Sequence, residues 1–365
     1  RAGCASGPGV PWRVGVPGPP GPGSGGRAQG RHYPERVNSD LAAALSSRVV
    51  VADGGMGTQL QGFDLTLDDF AGLEGCNEIL NVTRPDVVAK IHEAYFAAGA
   101  DAVETNTFGA NLSALAEYEI ADRIGELAEA GASIARQVAE RLSTPERPRF
   151  VLGSMGPGTK LPSLGHVTFA ALRDGYRTCA EGLLRGGADG IIVETCQDVL
   201  AAKAAVIGAK RAMTAQGREV PIIVSVTVET TGTMLVGSEI GAALTALEPL
   251  GIDVIGLNCS TGPAEMREHL RHLARHARIG VSCMPNAGLP VLTADGAYYP
   301  LTAEELTESL QAYVAEFGLC LVGGCCGTTP EHIRQLSDAV RGLPVVPRTP
   351  EHVAAVSSLY AATPL

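Results

Sequence analysis

The sequence predicts a (β/α)8 TIM barrel preceded by a disordered, Gly/Pro-rich N-terminal tail, on three observations. Eight short runs rich in β-branched and aliphatic residues alternate with longer amphipathic segments from residue 40 onward. Three of the amphipathic segments close with a Gly-Ala-Asp or Gly-Ile-Asp triplet, at 99–101, 187–189 and 251–253, in which glycine is the left-handed helix stop. Polar residues collect just past the C-terminal ends of the apolar runs, where barrels of this class build their sites. An open doubly wound sheet, more often of about five or six strands, fits eight units less well.

In chain order, residues 1–36 are dominated by Gly and Pro and offer no apolar periodicity on which a core could form, so a disordered tail is expected there. The first residue is Arg1 rather than methionine, which leaves two expectations open: a numbering that starts inside a longer product, or a tail that is an upstream stretch absent from the mature protein. The barrel is assigned to 40–343 and a C-terminal linker segment to 344–365. The apolar run 49–52 leads into DGGMGT, which opens with Asp53 and has the spacing of neither phosphate-binding glycine motif. A helix follows at 85–98, then the run 102–104, which closes on Glu104 with Asn106 two residues on. One long helix is expected over 110–142. The run 150–152 precedes a helix at 169–185, and 191–193 delivers Glu194 and Cys196 ahead of a helix at 199–212. Glu229 lies beyond the run 222–226, followed by a helix at 240–250. The run 254–257 leads to Cys259 two residues on, and a helix follows at 264–276. His269, His272 and His276 share that helix with Arg267, Arg271 and Arg275 and are expected on a solvated face. The runs 279–282 and 319–322 flank a helix at 303–317, and the last helix spans 330–340.

Of 365 residues, 45% are hydrophobic and 18% charged, enough to bury a large core, and the net charge of -11 argues against a nucleic-acid partner. No charge-free apolar stretch of membrane-spanning length and no signal peptide is found, so membrane insertion and export are not expected. A cytoplasmic location is expected. The nine cysteines are odd in number and widely spread, which in a reducing compartment reads as metal-binding or catalytic chemistry.

That chemistry concentrates at Cys259, Cys325 and Cys326. The last two are adjacent in GGCCGTT, a turn directly after an apolar run, and Cys259 ends another run. Three thiolates from two strand ends supply three corners of a tetrahedron and leave the fourth for a substrate, the layout of a catalytic zinc site. The pattern suggests an enzyme that binds and activates a thiol. Cys196 is expected as a buried structural thiol, and Cys4, Cys76, Cys179, Cys283 and Cys320 have no partner pattern.

The stretches DGGMGTQLQ, CNEILNVTRPDVV, AGADAVETNTFGAN, GSMGPGTKLPSLG, VTVETTGTMLVGSE, GLNCSTGP, SCMPNAGLPVL and VGGCCGTTPEHI resemble the homocysteine-binding domain of cobalamin-dependent methionine synthases, from about residue 48 to about 343. GLNCS and GGCCGT are shared with the wider homocysteine S-methyltransferase family. NEILNVTRP and ETNTFGAN point to the synthase branch. The resemblance implies that Cys259, Cys325 and Cys326 hold Zn2+ and activate homocysteine as a zinc-bound thiolate. It implies that Asp53 and Glu194 lie near the substrate's ammonium group, with Glu104 and Asn106 among the substrate contacts. It further implies methylcobalamin as methyl donor, held by a separate module, with a folate module as another partner, since the cobalamin signature D-x-H-x-x-G is not found here. Three alternatives stay open: a self-sufficient enzyme using S-methylmethionine or betaine, a truncated zinc- and homocysteine-binding module without turnover, and a vicinal-cysteine redox protein.

Overall fold

The computed structural model describes residues 40–293 and 296–365; the expected tail, 1–36, lies outside the described residues. Eight parallel strands form one sheet: β1 Val50–Val51, β2 Ala102–Glu104, β3 Phe150–Met155, β4 Gly190–Cys196, β5 Ile222–Val226, β6 Val254–Asn258, β7 Gly280–Met284 and, after the rim hairpin of β8 Val291–Thr293 and β9 Gly296–Tyr298, β10 Leu321–Val322. The chain ends in a second hairpin, β11 Ala355–Ser357 with β12 Ala362–Pro364. The helices are α1 Asp40–Ser47, α2 Met56–Leu60, α3 Leu80–Thr83, α4 Pro85–Ala98, α5 Leu112–Ala116, α6 Ile124–Leu142, α7 Phe169–Arg185, α8 Val199–Gln216, α9 Ile240–Leu247, α10 Pro263–His276, α11 Ala303–Phe317 and α12 Pro330–Val340.

Strand order runs β1-β10-β7-β6-β5-β4-β3-β2, and the seam between β1 and β2 is closed outside the regular ladder. Asp101 donates its backbone N–H to Val51 O at 2.7 Å and accepts the Val51 N–H on its carboxylate at 3.0 Å. At the other end of the seam both carboxylate oxygens of Asp53 accept from Glu104 N at 3.1 Å. The aspartates of the other two triplets do the same for their neighbours. Asp189 accepts from Val151 N, and Asp253 from Ile222 N, each at 2.8 Å. Glycine stops the helix (Gly99 φ 117°, Gly187 φ 99°, Gly251 φ 70°), and the carboxylate of the aspartate two residues on accepts one of the first two N–H groups of the adjacent strand.

Side chains alternate across the strands. Ile192 joins an interior cluster with Val50, Leu152, Ile223, Val254 and Leu321, while Ile191 and Val193 pack outward against the helices. Helix α1 plugs the N-terminal end of the barrel: Leu41, Ala44 and Leu45 belong to the interior cluster, and a Cβ on Gly190 would come within 2.8 Å of Leu41 Cδ2.

Three expectations need correction. The single helix over 110–142 is two, α5 and α6, separated by a reversal at Glu119 (φ 60°), where Ile120 N returns to Leu115 O at 3.0 Å. The apolar faces on either side of that break belong to different helices. The helix expected over 240–250 is α for Ile240–Leu247 and then 3-10 for Glu248–Leu250, because Pro249 cannot donate to the helical ladder. The histidine face of α10 is half-buried rather than solvated, because the segment 344–365 folds back over it. Arg348 donates to Ala274 O and Ala277 O, Glu351 N to Arg275 O, and the His272 and His276 rings lie 4.6 Å apart, tilted at 49°.

Candidate active site

Cys259, Cys325 and Cys326 converge at the C-terminal mouth of the barrel, their sulfurs all within 4.8 Å of one another and Cys259 Sγ 3.9 Å from Cys326 Sγ. Sulfurs of a tetrahedral site with bonds of about 2.3 Å lie about 3.8 Å apart, so the cluster is already at metal-binding spacing.

Local sequence explains how each thiol gets there. After β10 the chain crosses over the DGGMGT loop at van der Waals limit. A Cβ on Gly324 would come 2.3 Å from Thr328 Oγ1, and one on Gly54 2.5 Å from the same atom. Thr328 Oγ1 donates to Cys325 O at 2.6 Å and accepts from Gly55 N at 3.2 Å. Cys325 N donates to Pro285 O at 2.9 Å, and Cys326 N to Asn286 Oδ1 at 3.1 Å. The two cysteine backbones are thereby pinned from both sides. Cys259 is held differently: it and Ser260 both adopt φ 60° after β6, a conformation rare for non-glycine residues.

The thiols are electrostatically coupled. Hydrogen bonds from Cys259 and Cys325 pull Cys326 down to about 3, with Tyr299 contributing a further bond. The same contacts with Cys259 and Cys326, together with burial, push Cys325 well above the ordinary thiol range. One thiolate is easily formed and a second or third is not, unless a cation enters among them. That donor set suits a soft divalent metal.

Beside the thiols lie three carboxylates. Burial, and secondly repulsion from Glu194 and Asp53, push Glu104 well above the carboxylate range; burial does the same to Asp53 and raises Glu194 to about 7. Glu194 accepts from Ser154 Oγ on one oxygen and from Asn258 Nδ2, at 3.3 Å, on the other. Glu104 Oε1 is buried without a partner among the described residues. Glu194 is aimed by a β-bulge in β4: register against β5 shifts between Val193 and Cys196, with Thr195 at φ 53°. A buried, partly unpartnered acidic floor beside a thiolate cluster fits a ligand carrying both an ammonium and a thiol.

The structure brings Cys259, Cys325 and Cys326 together, with Asp53, Glu104 and Glu194 electrostatically linked beside them. Asn106 is differently placed. Its side-chain amide donates to Asn77 O at 2.7 Å and Asn81 Oδ1 at 3.0 Å, tying the loop after β2 to the turn ahead of α3. Cys196 is buried in the outer core, its thiol 3.6 Å from Val193 O.

Sequence reasoning missed Asn258, whose amide reaches Glu194, Thr195 Oγ1 (2.9 Å) and Cys325 Sγ (3.9 Å) and so touches both halves of the site. It also missed Ser154 and Tyr299. The first two sit inside GLNCS and GSMGPG, where motif position was the available signal; Tyr299 arrives from the rim hairpin with no local signature.

Residues 50–340 match the homocysteine S-methyltransferase family. The methionine synthase of Mycobacterium tuberculosis (strain ATCC 25618 / H37Rv) is 66% identical over 327 residues, covering 90% of this chain and 27% of that protein. That of Mycobacterium leprae (strain TN) is 64% identical over 334 residues, covering 90% and 28%. The chain thus spans little more than a quarter of the length of these relatives. Among solved structures, the homocysteine methyltransferase MmuM of Escherichia coli superposes with a TM-score of 0.64 in its metallated form and 0.61 in its oxidised form. Sequence identity is 22%, over 80% of this chain and at least 95% of that one.

Proposed function

The chain belongs to the homocysteine S-methyltransferase family, and from that premise we propose that it is the zinc-dependent homocysteine-activating module of a cobalamin-dependent methionine synthase. The observation that carries the reading is three thiols at tetrahedral spacing beside a buried acidic floor. Cys259, Cys325 and Cys326 would hold the metal. Zinc bound there would lower the pKa of an incoming thiol while leaving its sulfur electron-rich enough to attack a methyl group.

The protein's own groups do the rest. Glu194 and Glu104 hold the substrate's ammonium, with Asp53 behind them bonded across the barrel seam. Asn258 keeps Glu194 at a fixed offset from Cys325, so the amino and sulfur ends of homocysteine are placed together. The thiol proton leaves to solvent. Metal and donor would supply the transfer itself: the activated sulfur would give its electron pair to the methyl carbon as that carbon's bond to the donor breaks, with the electrons of the broken bond staying on the donor. The donor in this reading is methylcobalamin carried by another module, approaching the open mouth. Eight described cysteines without disulfides suit the reducing cytoplasm, and among the described residues no helix is long and apolar enough to cross a membrane.

Calorimetry in buffers of different ionisation enthalpy tests the reading. Homocysteine should bind the zinc-loaded chain with release of about one proton near neutral pH. Homoserine, which lacks the sulfur, should bind far more weakly; equal affinity for the two would refute thiol coordination.

A further inference from the structure

The C-terminal hairpin, expected as part of a linker, reaches the metal ligand Cys259 through an unbroken series of contacts. Tyr360 packs on Gly237 (φ 89°), where a Cβ would lie 3.1 Å from its ring. Ser238 Oγ donates to Leu359 O at 2.6 Å, and Glu239 N to Tyr360 O at 2.7 Å. These bonds fasten one end of the loop between β5 and α9. Internally that loop is closed by Met234 N to Ser238 O (2.8 Å), Gly237 N to Met234 O (2.7 Å) and Glu229 N to Thr233 O (2.9 Å). At its other end Glu229 Oε2 accepts from Ser260 Oγ at 2.7 Å. Ser260 is the second of the two left-handed residues that turn Cys259 toward the cluster.

The Glu229–Ser260 bond is not needed to pair the strands, since β5 and β6 align from Ile223–Val254 to Val226–Leu257 without it. It acts where the ladder has ended. The Cys259 N–H reaches Met284 O only at 3.3 Å, so the peptide carrying the ligand is loosely held on its β7 side. Two successive left-handed non-glycine residues persist only where surrounding contacts over-determine them, and the side-chain anchor on this turn comes from the loop that the hairpin fastens.

We propose that β11–β12 is a positioning element for the metal: by fastening the β5–α9 loop it sets the Glu229–Ser260 hydrogen bond, and that bond sets how well Cys259 is presented to the ion. The proposal rests on the reading of the cluster as a zinc site. Glu229 and Ser260 are positioning residues in it, acting through Cys259 rather than touching the substrate.

The test measures zinc affinity of the full chain by competition with a chromophoric chelator, together with the thiolate-to-metal absorption of the cobalt(II)-loaded protein and the thermal midpoint of the metal-free protein. Ser260→Gly deletes the hydroxyl while tolerating φ 60° freely, so folding is preserved. Ser260→Gly and Glu229→Ala should each weaken zinc binding about 10- to 100-fold, the usual effect of removing a group that orients a ligand. They should also alter the cobalt spectrum and leave the metal-free midpoint near wild type. Glu229→Gln, which keeps an acceptor oxygen, should retain most of the affinity. Tyr360→Ala should weaken binding less, and adding it to Ser260→Gly should weaken it no further, since both act through one bond. Wild-type affinity in Ser260→Gly and Glu229→Ala, or a fully additive Tyr360→Ala effect, overturns the proposal. A wild-type chain that takes up no zinc overturns the metal reading itself and this inference with it.

Discussion

At the scale of single residues, the proposed function divides the site between groups that would hold the metal and groups that would hold the substrate, and substitutions should separate them. Glu194 touches Ser154 and Asn258 but none of the three thiols at bonding distance. Glu194→Gln keeps the shape and removes the charge. It should lower homocysteine affinity about tenfold to a hundredfold, the value of about 1.5–3 kcal/mol for a charge-assisted hydrogen bond, with zinc content unchanged. Calorimetry of zinc-loaded variant and wild type decides this, and unchanged affinity would remove Glu194 from the ammonium site. Conversely, Cys259→Ser, Cys325→Ser and Cys326→Ser should each lose most of the bound metal by elemental analysis; full zinc in all three would sink the site. The thiols and carboxylates were legible because their residue types recur at strand ends. Asn258 and Ser154 were not, because a neutral side chain acquires its role only from what lies across the barrel from it.

At the scale of elements, α1 and α4 carry the clearest consequences. Leu41 is about 1% exposed and seals the barrel's N-terminal end, so Leu41→Ala should cost about 2–5 kcal/mol in urea denaturation. A loss below about 1 kcal/mol would mean that α1 is not the plug. In α4, His92 is fully buried and neither ring nitrogen has a partner among the described residues. Burial lowers its pKa from 6.5 to about 4. The unfolded chain therefore binds the proton first as pH falls. Stability associated with neutral His92 is complete above about pH 6.5 and is lost progressively toward pH 4. His92→Leu should flatten the stability profile across that window while leaving stability at pH 7 equal or higher. An identical slope in variant and wild type would refute the assignment.

At the scale of the whole molecule, the proposed function makes the barrel mouth the face a methyl donor would have to reach, since the three thiols cluster there. The chain covers 27% of its Mycobacterium tuberculosis relative, and a donor module joined covalently would act at an effective concentration of about millimolar. The chain by itself should therefore methylate homocysteine slowly from free methylcobalamin, lose that activity in Cys325→Ala and Cys326→Ala, and show no turnover with methyltetrahydrofolate alone. Folate-driven turnover without cobalamin would overturn the assignment, and fast turnover with S-methylmethionine or betaine would point to a self-sufficient enzyme instead.

The sequence by itself determined the barrel, because alternation of apolar runs with amphipathic helices and glycine stops is a local property: α4, α7, α11 and α12 begin and end where periodicity and capping place them. It also made the three thiols legible, Cys325 and Cys326 as an adjacent pair between glycines and Cys259 at another strand end, all in short local motifs. Only the tertiary structure decided how the seam closes through Asp53 and Asp101, that α1 fills the bottom of the barrel, and that 344–365 lies back over α10. It alone decided that Tyr299 reaches Cys326 and Ser260 reaches Glu229. Each of these joins residues far apart in the chain through a side chain whose own neighbours in sequence carry no trace of the partner, and that is information only packing supplies.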